Sequence, residues 1–450
     1  MSDTADDRNF LGHPRGLAVL AGTELWDRIS FHGMQSLLVL YMVGQLLLPG
    51  HVEHIVGFAV FRHTVEGVTG RLSTQALASQ IFGIYIFFVT MTPLIGALIG
   101  DRWLGRRPTV VLGALLMTAG HFSMAFDQSF LLAMALIVLG AGCLRGNLSP
   151  QVGELYSAND ERRQAAFQIY SSAVNLGAFI APLLTGALGK AYGWHFGFGF
   201  AGFGMLLGLI VYLAGQKTLP TPALRKPRAM RRALTDPERK MALFLVSLPP
   251  ITAMFWVAQS QIWNTYNIWA RDHVQLRIGH WSMPVPWLQS LDGLAPFVLL
   301  PPLLIFWNWQ STRGKAPQEL TKAAIGCLIF AASTLLLACA PLVADAQGKT
   351  PLLWVVGFHI TSNLGWLFFA PTITALFSRH APMPINATMM GISLMAVSLG
   401  SLISGRLGGF YEVMAPGQFW AIHAGIVGLG GMLLLIMGAI MRRRFPADVA

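Results

Sequence analysis

Three ionisable residues lie close together inside the first apolar segment of this 450-residue chain: Glu24, Asp27 and Arg28. Charged side chains are costly in hydrocarbon, so their presence in such a segment indicates function by default. At helical spacing they share one face with Phe31 and Gln35. Carboxylates of this kind can carry protons, and a guanidinium can bind a carboxylate. Two acids and one base are not balanced, so the pattern predicts a further cationic partner.

Composition indicates which elements position these residues. Hydrophobic residues make up 54% of the chain and charged residues 11%, whereas soluble domains carry about 25% charged residues. A soluble enzyme is therefore excluded. A helix needs about 20 apolar residues to cross a bilayer. The sequence predicts twelve such helices, at 17–47, 77–100, 108–126, 129–149, 164–188, 195–215, 241–270, 285–310, 323–343, 352–378, 386–410 and 417–440.

The distribution of Lys and Arg predicts the orientation. With the N-terminus inside, the inner segments carry 22 of the 31 basic residues and the outer loops carry six. Cytoplasmic loops are rich in Lys and Arg, so both termini are predicted to be cytoplasmic. The anionic inner leaflet accounts for the net charge of +11 without a nucleic-acid partner. The polar first fifteen residues are not typical of a cleaved signal peptide. Arginine well exceeds lysine, which is consistent with a bacterial inner membrane protein encoded by a GC-rich genome.

Residues 216–240 contain four prolines and eight basic residues. This composition predicts a cytoplasmic linker, with room for a short interfacial helix. The predicted domains are therefore a six-helix bundle at 1–215, the linker, and a second six-helix bundle at 241–450. Two bundles of one architecture predict an all-α membrane protein with the major facilitator fold.

The second inner loop reads GALIGDRWLGRRPT, residues 96–109. It resembles the G-x-x-x-x-D-R-x-x-G-R-R loop of the major facilitator superfamily. The resemblance implies a structural gate motif that locks the inner side in one state. Its residues here are Gly96, Asp101, Arg102, Gly105, Arg106 and Arg107.

A more specific resemblance begins at residues 22–33, GTELWDRISFHG. They resemble the E-x-x-E-R-F-x-Y-Y-G signature of the proton-dependent oligopeptide transporter (POT) family. The matching residues are Glu24, Arg28 and Gly33. The residues that differ from the signature are Asp27, Ile29, Phe31 and His32.

The resemblance extends through the first bundle. Residues 145–156, RGNLSPQVGELY, are similar to K-P-N-I-S-x-x-V-G-E-L-Y, with Arg145 in place of the Lys. Residues 167–189 are similar to F-Y-x-x-I-N-x-G, with Asn175 and Gly177 in register. Helical rise places Glu24 and Arg145 at a similar depth, roughly 7–11 Å from the inner ends of their spans, so the two can meet.

The second bundle departs from the family where charge is expected. Ser260 stands in place of an acid in the seventh span. Trp366 replaces the Glu that the resemblance assigns to the peptide amino group. Asp292 replaces an Asn, close to the matching Gln289.

The resemblance assigns roles to these positions. Proton coupling is expected to rest on Glu24 and Asp27, aided by His32. Arginine does not deprotonate in proteins, so coupling cannot depend on neutralising Arg145. The expected substrate-binding residues are Arg28, Phe31, Arg145, Asn175, Gln289, Asp292 and Trp366.

Asp292 has two interpretations. It is roughly 10 Å from the outer end of its span, while Arg28 and Arg145 lie in the inner half. This spacing suits an extended dipeptide-sized ligand, with Asp292 on the amino group and Trp366 as an aromatic wall. Alternatively, Asp292 pairs with Arg406 or Arg271 as an outer gate.

Other candidates have weaker support. His32 and His359 could titrate, although a lone helical His is more often a hydrogen-bonded packing residue. The three cysteines are predicted to be small core residues. His51, His54 and His63 have no partner set that fixes a metal and are assigned to a loop. No metal site, cofactor or nucleophile motif is expected, and protons are the only coupling ion.

The sequence thus predicts a monomeric, multi-pass transporter in the lipid bilayer, not an enzyme. The resemblance implies proton-coupled import of di- or tripeptides, or peptide-like compounds, by alternating access. One alternative keeps the fold but carries a specialised non-peptide or amino-blocked organic anion, with or without proton coupling. A second alternative is a receptor or scaffold, which the costly charges of the first span disfavour.

Overall fold

The computed structural model describes residues 10–157, 159–220 and 232–445. Helices dominate this part of the chain. They are α1 (Arg15–Tyr41), α2 (Phe58–Thr69), α3 (Thr74–Ile99), α4 (Arg106–Ser123), α5 (Phe130–Glu154), α6 (Arg162–Tyr192), α7 (Trp194–Gly215), α8 (Asp236–Val246), α9 (Pro249–Gln261), α10 (Thr265–His273), α11 (Ser290–Thr312), α12 (Glu319–Ala338), α13 (Leu352–His380), α14 (Asn386–Gly408) and α15 (Pro416–Arg444). One antiparallel hairpin joins β1 (Arg277–Ile278) to β2 (Trp281–Ser282).

Within the described residues, ten helical segments are long and apolar enough to cross a membrane. The chain is therefore a multi-pass membrane protein. Two of the twelve predicted spans, 17–47 and 108–126, are helical as α1 and α4 but are not among the ten. α1 carries several charged residues, and α4 has only 18 residues and begins with two arginines.

The predicted seventh span, 241–270, lies within Asp236–His273, one of the ten apolar segments, but it is not one continuous helix. It is divided into α8, α9 and α10. α8 starts at Asp236, inside the predicted linker, where Thr235 and Glu238 form a capping box. Such a box satisfies free N–H groups at the start of a helix. α9 begins at Pro249 and Pro250, and a helix tolerates proline best in its first turn.

Two other segments differ from the sequence analysis. Residues 58–69, assigned to an outer loop, form α2, and the hairpin of β1 and β2 was not predicted. Cys143 and Cys327 are buried as expected, but Cys339 is exposed at the end of α12, so the core prediction is wrong for it. Residues 1–9 and 221–231, the latter in the middle of the predicted linker, lie outside the described residues.

Contacts divide the helices into two units. Unit 1 comprises residues 1–71 and 88–227, and unit 2 comprises residues 72–87 and 228–450. Because the boundary passes through α3, its first half packs with unit 2 and its second half with unit 1.

In unit 1, α1 packs against α6 and α7, and α4 packs against α5 and α7. α3 approaches α5 so closely at Gly96 that a Cβ there would lie 2.0 Å from the carbonyl oxygen of Gly142. Small residues allow membrane helices this close contact. It fixes the position of α5, which carries Arg145.

In unit 2, α12 packs against α13 and α15, and α9 packs against α14. The first half of α3 is bound to this unit by polar contacts: Asn264 donates to the Ser79 hydroxyl at 2.6 Å, and Gln75 donates to the Gly408 carbonyl at 3.1 Å. Leu303, Leu367 and Phe368 form a buried apolar cluster.

Candidate substrate and proton site

The acids of α1 are buried and paired. Glu24 is 1% exposed. Its Oε1 accepts a hydrogen bond from Nε of Arg28, one helical turn later, at 2.6 Å. Its Oε2 accepts from the Tyr170 hydroxyl of α6. Both oxygens of the carboxylate therefore have a partner.

Asp27 is fully buried and pairs with a different arginine. Its Oδ2 accepts from Nε of Arg145 at 3.0 Å, and its Oδ1 accepts from NH2 of the same guanidinium at 3.3 Å. The Arg145 guanidinium also lies 4.1 Å from the ring centre of Phe31. Arg28 adds a longer contact to Asp27, at 3.6 Å. Arg145 is thus the cationic partner that the α1 pattern required.

These two acids and two arginines sum to zero net charge. The guanidinium side chains of Arg28 and Arg145 are 20% and 11% exposed, whereas the two carboxylates are almost sealed. An incoming carboxylate can therefore reach the arginines more readily than the acids. If it takes an arginine from Glu24 or Asp27, that acid is left buried and unpaired, which favours its protonation. The cluster can couple anion binding to proton uptake.

α6 positions the Tyr170 side of the cluster. A Cβ at Gly177 would lie 2.5 Å from the Cβ of Arg28 and 3.0 Å from the Leu25 carbonyl oxygen. The absence of a side chain at Gly177 lets α6 cross α1 beside the charged cluster. Asn175 is on the same helix, half-buried.

Two residues of this region escaped the sequence analysis. Tyr170 was inside a quoted motif but had no assigned role. His121 of α4 is fully buried, and neither ring nitrogen has a hydrogen-bond partner in the described structure. Asp27 and Arg145 are close enough to His121 to interact with it electrostatically. His32, which was predicted, is half-buried, with its ring edge-to-face against Phe31 at 5.1 Å.

The gate motif forms a charged cluster at the ends of α3, α4 and α5. Arg106 bonds Asp101 at 3.0 Å and Glu154 at 2.6 Å. Arg107 donates to the Leu219 carbonyl. Gly105 has a φ of +82°, which only glycine adopts readily. Arg102 lies exposed in the turn that ends α3.

In unit 2, Asp292 does not pair with either predicted arginine in the described structure. Its Oδ1 accepts from Nδ1 of His359 at 2.9 Å and from the Asn363 amide at 2.7 Å. Arg271 instead bonds its neighbour Asp272 at 2.7 Å, and Arg406 is exposed, with its guanidinium 5.6 Å from the Phe410 ring centre.

The remaining predicted residues of unit 2 have structural contacts. Gln289 is fully buried and donates to the Ile262 carbonyl at 3.0 Å and to the Asn267 side-chain oxygen at 2.5 Å. Trp366 packs, partly buried, against the apolar cluster of Leu303. Ser260 bonds Ser401 at 2.8 Å where the family would have an acid.

Comparison with known proteins identifies relatives whose sequences match nearly the whole chain. The peptide transporter YePEPT of Yersinia enterocolitica is 27% identical, covering 98% of this chain and 97% of its own length. A di-/tripeptide transporter of Lactococcus lactis subsp. cremoris is 25% identical, covering 97% of each. The uncharacterized transporter YclF of Bacillus subtilis is 27% identical, covering 97% of this chain and 96% of its own.

Solved structures show the same similarity at the level of the fold. A peptide transporter POT crystallised with sulfate has a TM-score of 0.82 and 27% identity, covering 97% of each chain. A POT family transporter in complex with a thioalcohol-conjugated peptide shares the fold, with a TM-score of 0.82 at 24% identity. The sequence profile of the POT family (PTR2) matches residues 107–235 and 228–420. The chain is therefore a membrane transporter that belongs to the POT family.

Proposed function

We propose that this transporter imports di- or tripeptides together with protons, by alternating access. The observation that carries the proposal is the neutral cluster of two buried acids and two partly accessible arginines in unit 1. Relatives named as peptide transporters support a peptide cargo.

In this proposal, Arg28 and Arg145 receive the acidic end of the substrate. Both guanidinium groups present several N–H donors, which suits forked recognition of a carboxylate. Phe31 keeps the Arg145 guanidinium oriented by stacking at 4.1 Å. Asn175 is a further candidate contact on α6.

Glu24 and Asp27 are the proposed proton carriers of this unit, with His32 beside them. Substrate competes with the acids for the arginines, and the released acid takes up a proton because a lone buried carboxylate is unfavourable. Release of the substrate returns the arginines and expels the proton. Binding and protonation therefore accompany one another.

In unit 2, we propose that Asp292 receives an amino group, with Gln289 and Trp366 as nearby contributors. Oδ1 of Asp292 is used by His359 and Asn363, but Oδ2 accepts no hydrogen bond within the described structure. That oxygen is buried in this conformation, and the proposal has it accept from an ammonium donor when the site opens.

The rest of the proposal concerns topology. We propose twelve spans, with α1 and α4 completing the ten apolar segments, and both termini on the cytoplasmic side of a bacterial inner membrane. The transporter is proposed to act as a monomer.

The experiment is uptake of a labelled dipeptide into liposomes that contain the purified protein. An alkaline interior should drive accumulation above the external concentration, and a protonophore should abolish it. Equilibration without accumulation would contradict proton coupling, and no peptide movement at all would contradict the proposed cargo.

One observation favours a second cargo. Ser260 and Trp366 occupy positions where the family has acids, and Trp366 lies in an apolar cluster. A substrate without a free amino group would need no acid there. Counterflow with peptides, amino-blocked peptides and organic anions distinguishes the two cargoes, because only the second predicts that amino-blocked ligands exchange faster.

A further inference from the structure

A chain of three hydrogen-bonded titratable residues crosses unit 2. The Tyr266 hydroxyl of α10 lies 2.8 Å from Nε2 of His359 on α13. Nδ1 of the same imidazole lies 2.9 Å from Oδ1 of Asp292 on α11. Tyr266 is fully buried and His359 is 1% exposed, while the Asp292 side chain is 15% exposed.

We propose that the Asp292–His359–Tyr266 chain is a proton-binding site of unit 2, with His359 as the group that gains and loses the proton. Asp292 is its counter-ion and the most exposed member of the chain. This site is independent of the Glu24 and Asp27 cluster of unit 1.

Asp292 is the hydrogen-bond acceptor at one end of the chain. It lies in the first turn of α11, directly after the short helical segment Val285–Gln289. Its Oδ1 accepts two hydrogen bonds, from His359 and Asn363. The proposal assigns an added proton to the imidazole, with the Asp292 carboxylate as its acceptor.

The only ion-pair partner of Asp292 among the described residues is His359. A buried carboxylate without a compensating charge is strongly unfavourable. Protonated His359 supplies that charge, and neutral His359 leaves the carboxylate uncompensated. A proton on His359 would thus make the pair electrically neutral.

Tyr266 allows both protonation states. A phenol can donate or accept a hydrogen bond. It donates to Nε2 when His359 is neutral and accepts from Nε2–H when His359 is charged. The imidazole thus keeps both of its hydrogen bonds in either state, unlike an ordinary buried packing histidine.

Other ionisable groups on the elements around α13 have partners elsewhere. On α12, Glu319 bonds His380 at 2.8 Å, and Lys322 lies 3.2 Å from the Trp307 ring centre. His423 of α15 bonds Gln261 at 3.2 Å, and Arg271 of α10 bonds Asp272. The other such groups on these helices are Cys327, Arg406, His273, Arg442, Arg443 and Arg444. Asp292 and Tyr266 are thus the ionisable groups that face His359 in the described structure.

The test is a ¹⁵N NMR titration of histidine-labelled protein in nanodiscs, without substrate. The chain has 12 histidines, so loss of one resonance in His359→Gln identifies the signal. Tyr266→Phe, which alters the Nε2 partner, assigns it independently should the first variant fail to fold. We expect His359 to gain a proton as the pH is lowered, and Asp292→Asn to keep it neutral over the same titration.

His423→Gln is the matched control, because His423 is also buried in unit 2 but has no carboxylate partner. It should leave the His359 titration unchanged. A His359 signal that stays neutral throughout, or that titrates identically in Asp292→Asn, would overturn the proposal.

A transport arm tests whether the site takes part in coupling. In liposomes, His359→Gln should move fewer protons per peptide than the wild type. An unchanged number of protons per peptide would show that the site takes no part in coupling. If the wild type moves no peptide, the proposed function is wrong, but the NMR titration still decides the proton site.

Discussion

Arg145 of α5 donates two hydrogen bonds to Asp27 of α1, at 3.0 and 3.3 Å, and Asp27 is fully buried. This pair joins two helices that are more than a hundred residues apart in the sequence. It also leaves Arg28 free to pair with Glu24, one turn away on α1. The two arginines are therefore divided between the two acids.

Breaking this pair from one side should destabilise unit 1. In Asp27→Asn the Arg145 guanidinium is left buried with no carboxylate opposite it, which costs about 3 kcal/mol. Denaturation in mild detergent should show the loss. Asp27→Asn combined with Arg145→Gln should recover a large part of it, because no charge is then left alone. A double variant as unstable as the sum of the single variants would contradict the coupling.

Arg28→Gln tests the carboxylate anchor. Removing one charge-assisted hydrogen bond costs about 1.5–3 kcal/mol, or roughly 10–100-fold in affinity. The loss should appear for a peptide with a free carboxylate and be much smaller for its amide, as measured by ligand binding. Arg406→Gln is the control, because Arg406 is exposed at the end of α14 and stacks on Phe410. Equal losses for acid and amide would show that Arg28 is not the anchor.

Glu24→Gln tests proton coupling. Glutamine can still bond Arg28 and Tyr170, but it cannot take up a proton. Concentrative uptake driven by a pH gradient should fall to equilibration, while counterflow, which needs no net proton movement, should persist. Tyr170→Phe is the matched control, since it removes the other Glu24 contact and keeps the acid. Accumulation by the Gln variant would place the coupling acid elsewhere.

Gly177→Ala tests how α6 is fitted against α1. The added methyl would lie 2.5 Å from the Arg28 Cβ, so the helices must separate and the cluster must shift. Overpacking of this kind costs about 1–3 kcal/mol, and both thermal stability and substrate affinity should fall. Gly199→Ala on α7 meets no atom within 4 Å and should be neutral or slightly stabilising. Similar behaviour of the two variants would contradict the close approach.

The sequence predicted much of this arrangement from the cost of charge in an apolar segment. That cost identified Glu24, Asp27 and Arg28 as one functional face, and helical rise placed Arg145 at their depth. It could not predict that Arg145 pairs with Asp27, because the rotation of two packed helices depends on contacts along their whole length.

Two other features, the break in the seventh span and the partners of His359, depend on contacts between helices that are distant in the sequence. The break of the seventh predicted span was signalled by Pro249 and Pro250, yet apolar length alone favoured one helix. His359 was a lone histidine on a helix, and its partners Tyr266 and Asp292 come from two other helices. Only packing reveals such a chain.

Asp292→Asn tests recognition of the substrate amino group. The amide keeps the shape of the side chain but removes the charge that an ammonium would meet at Oδ2. Affinity for free-amine peptides should fall by roughly 10–100-fold, while N-acetylated peptides should bind as before. His359→Gln separates this role from that of a counter-ion, because it keeps the carboxylate and removes its imidazole partner. If Asp292 holds the ligand, His359→Gln retains the preference for free amines and Asp292→Asn loses it. If both variants bind the two peptide classes as the wild type does, Asp292 does not contact the amino group.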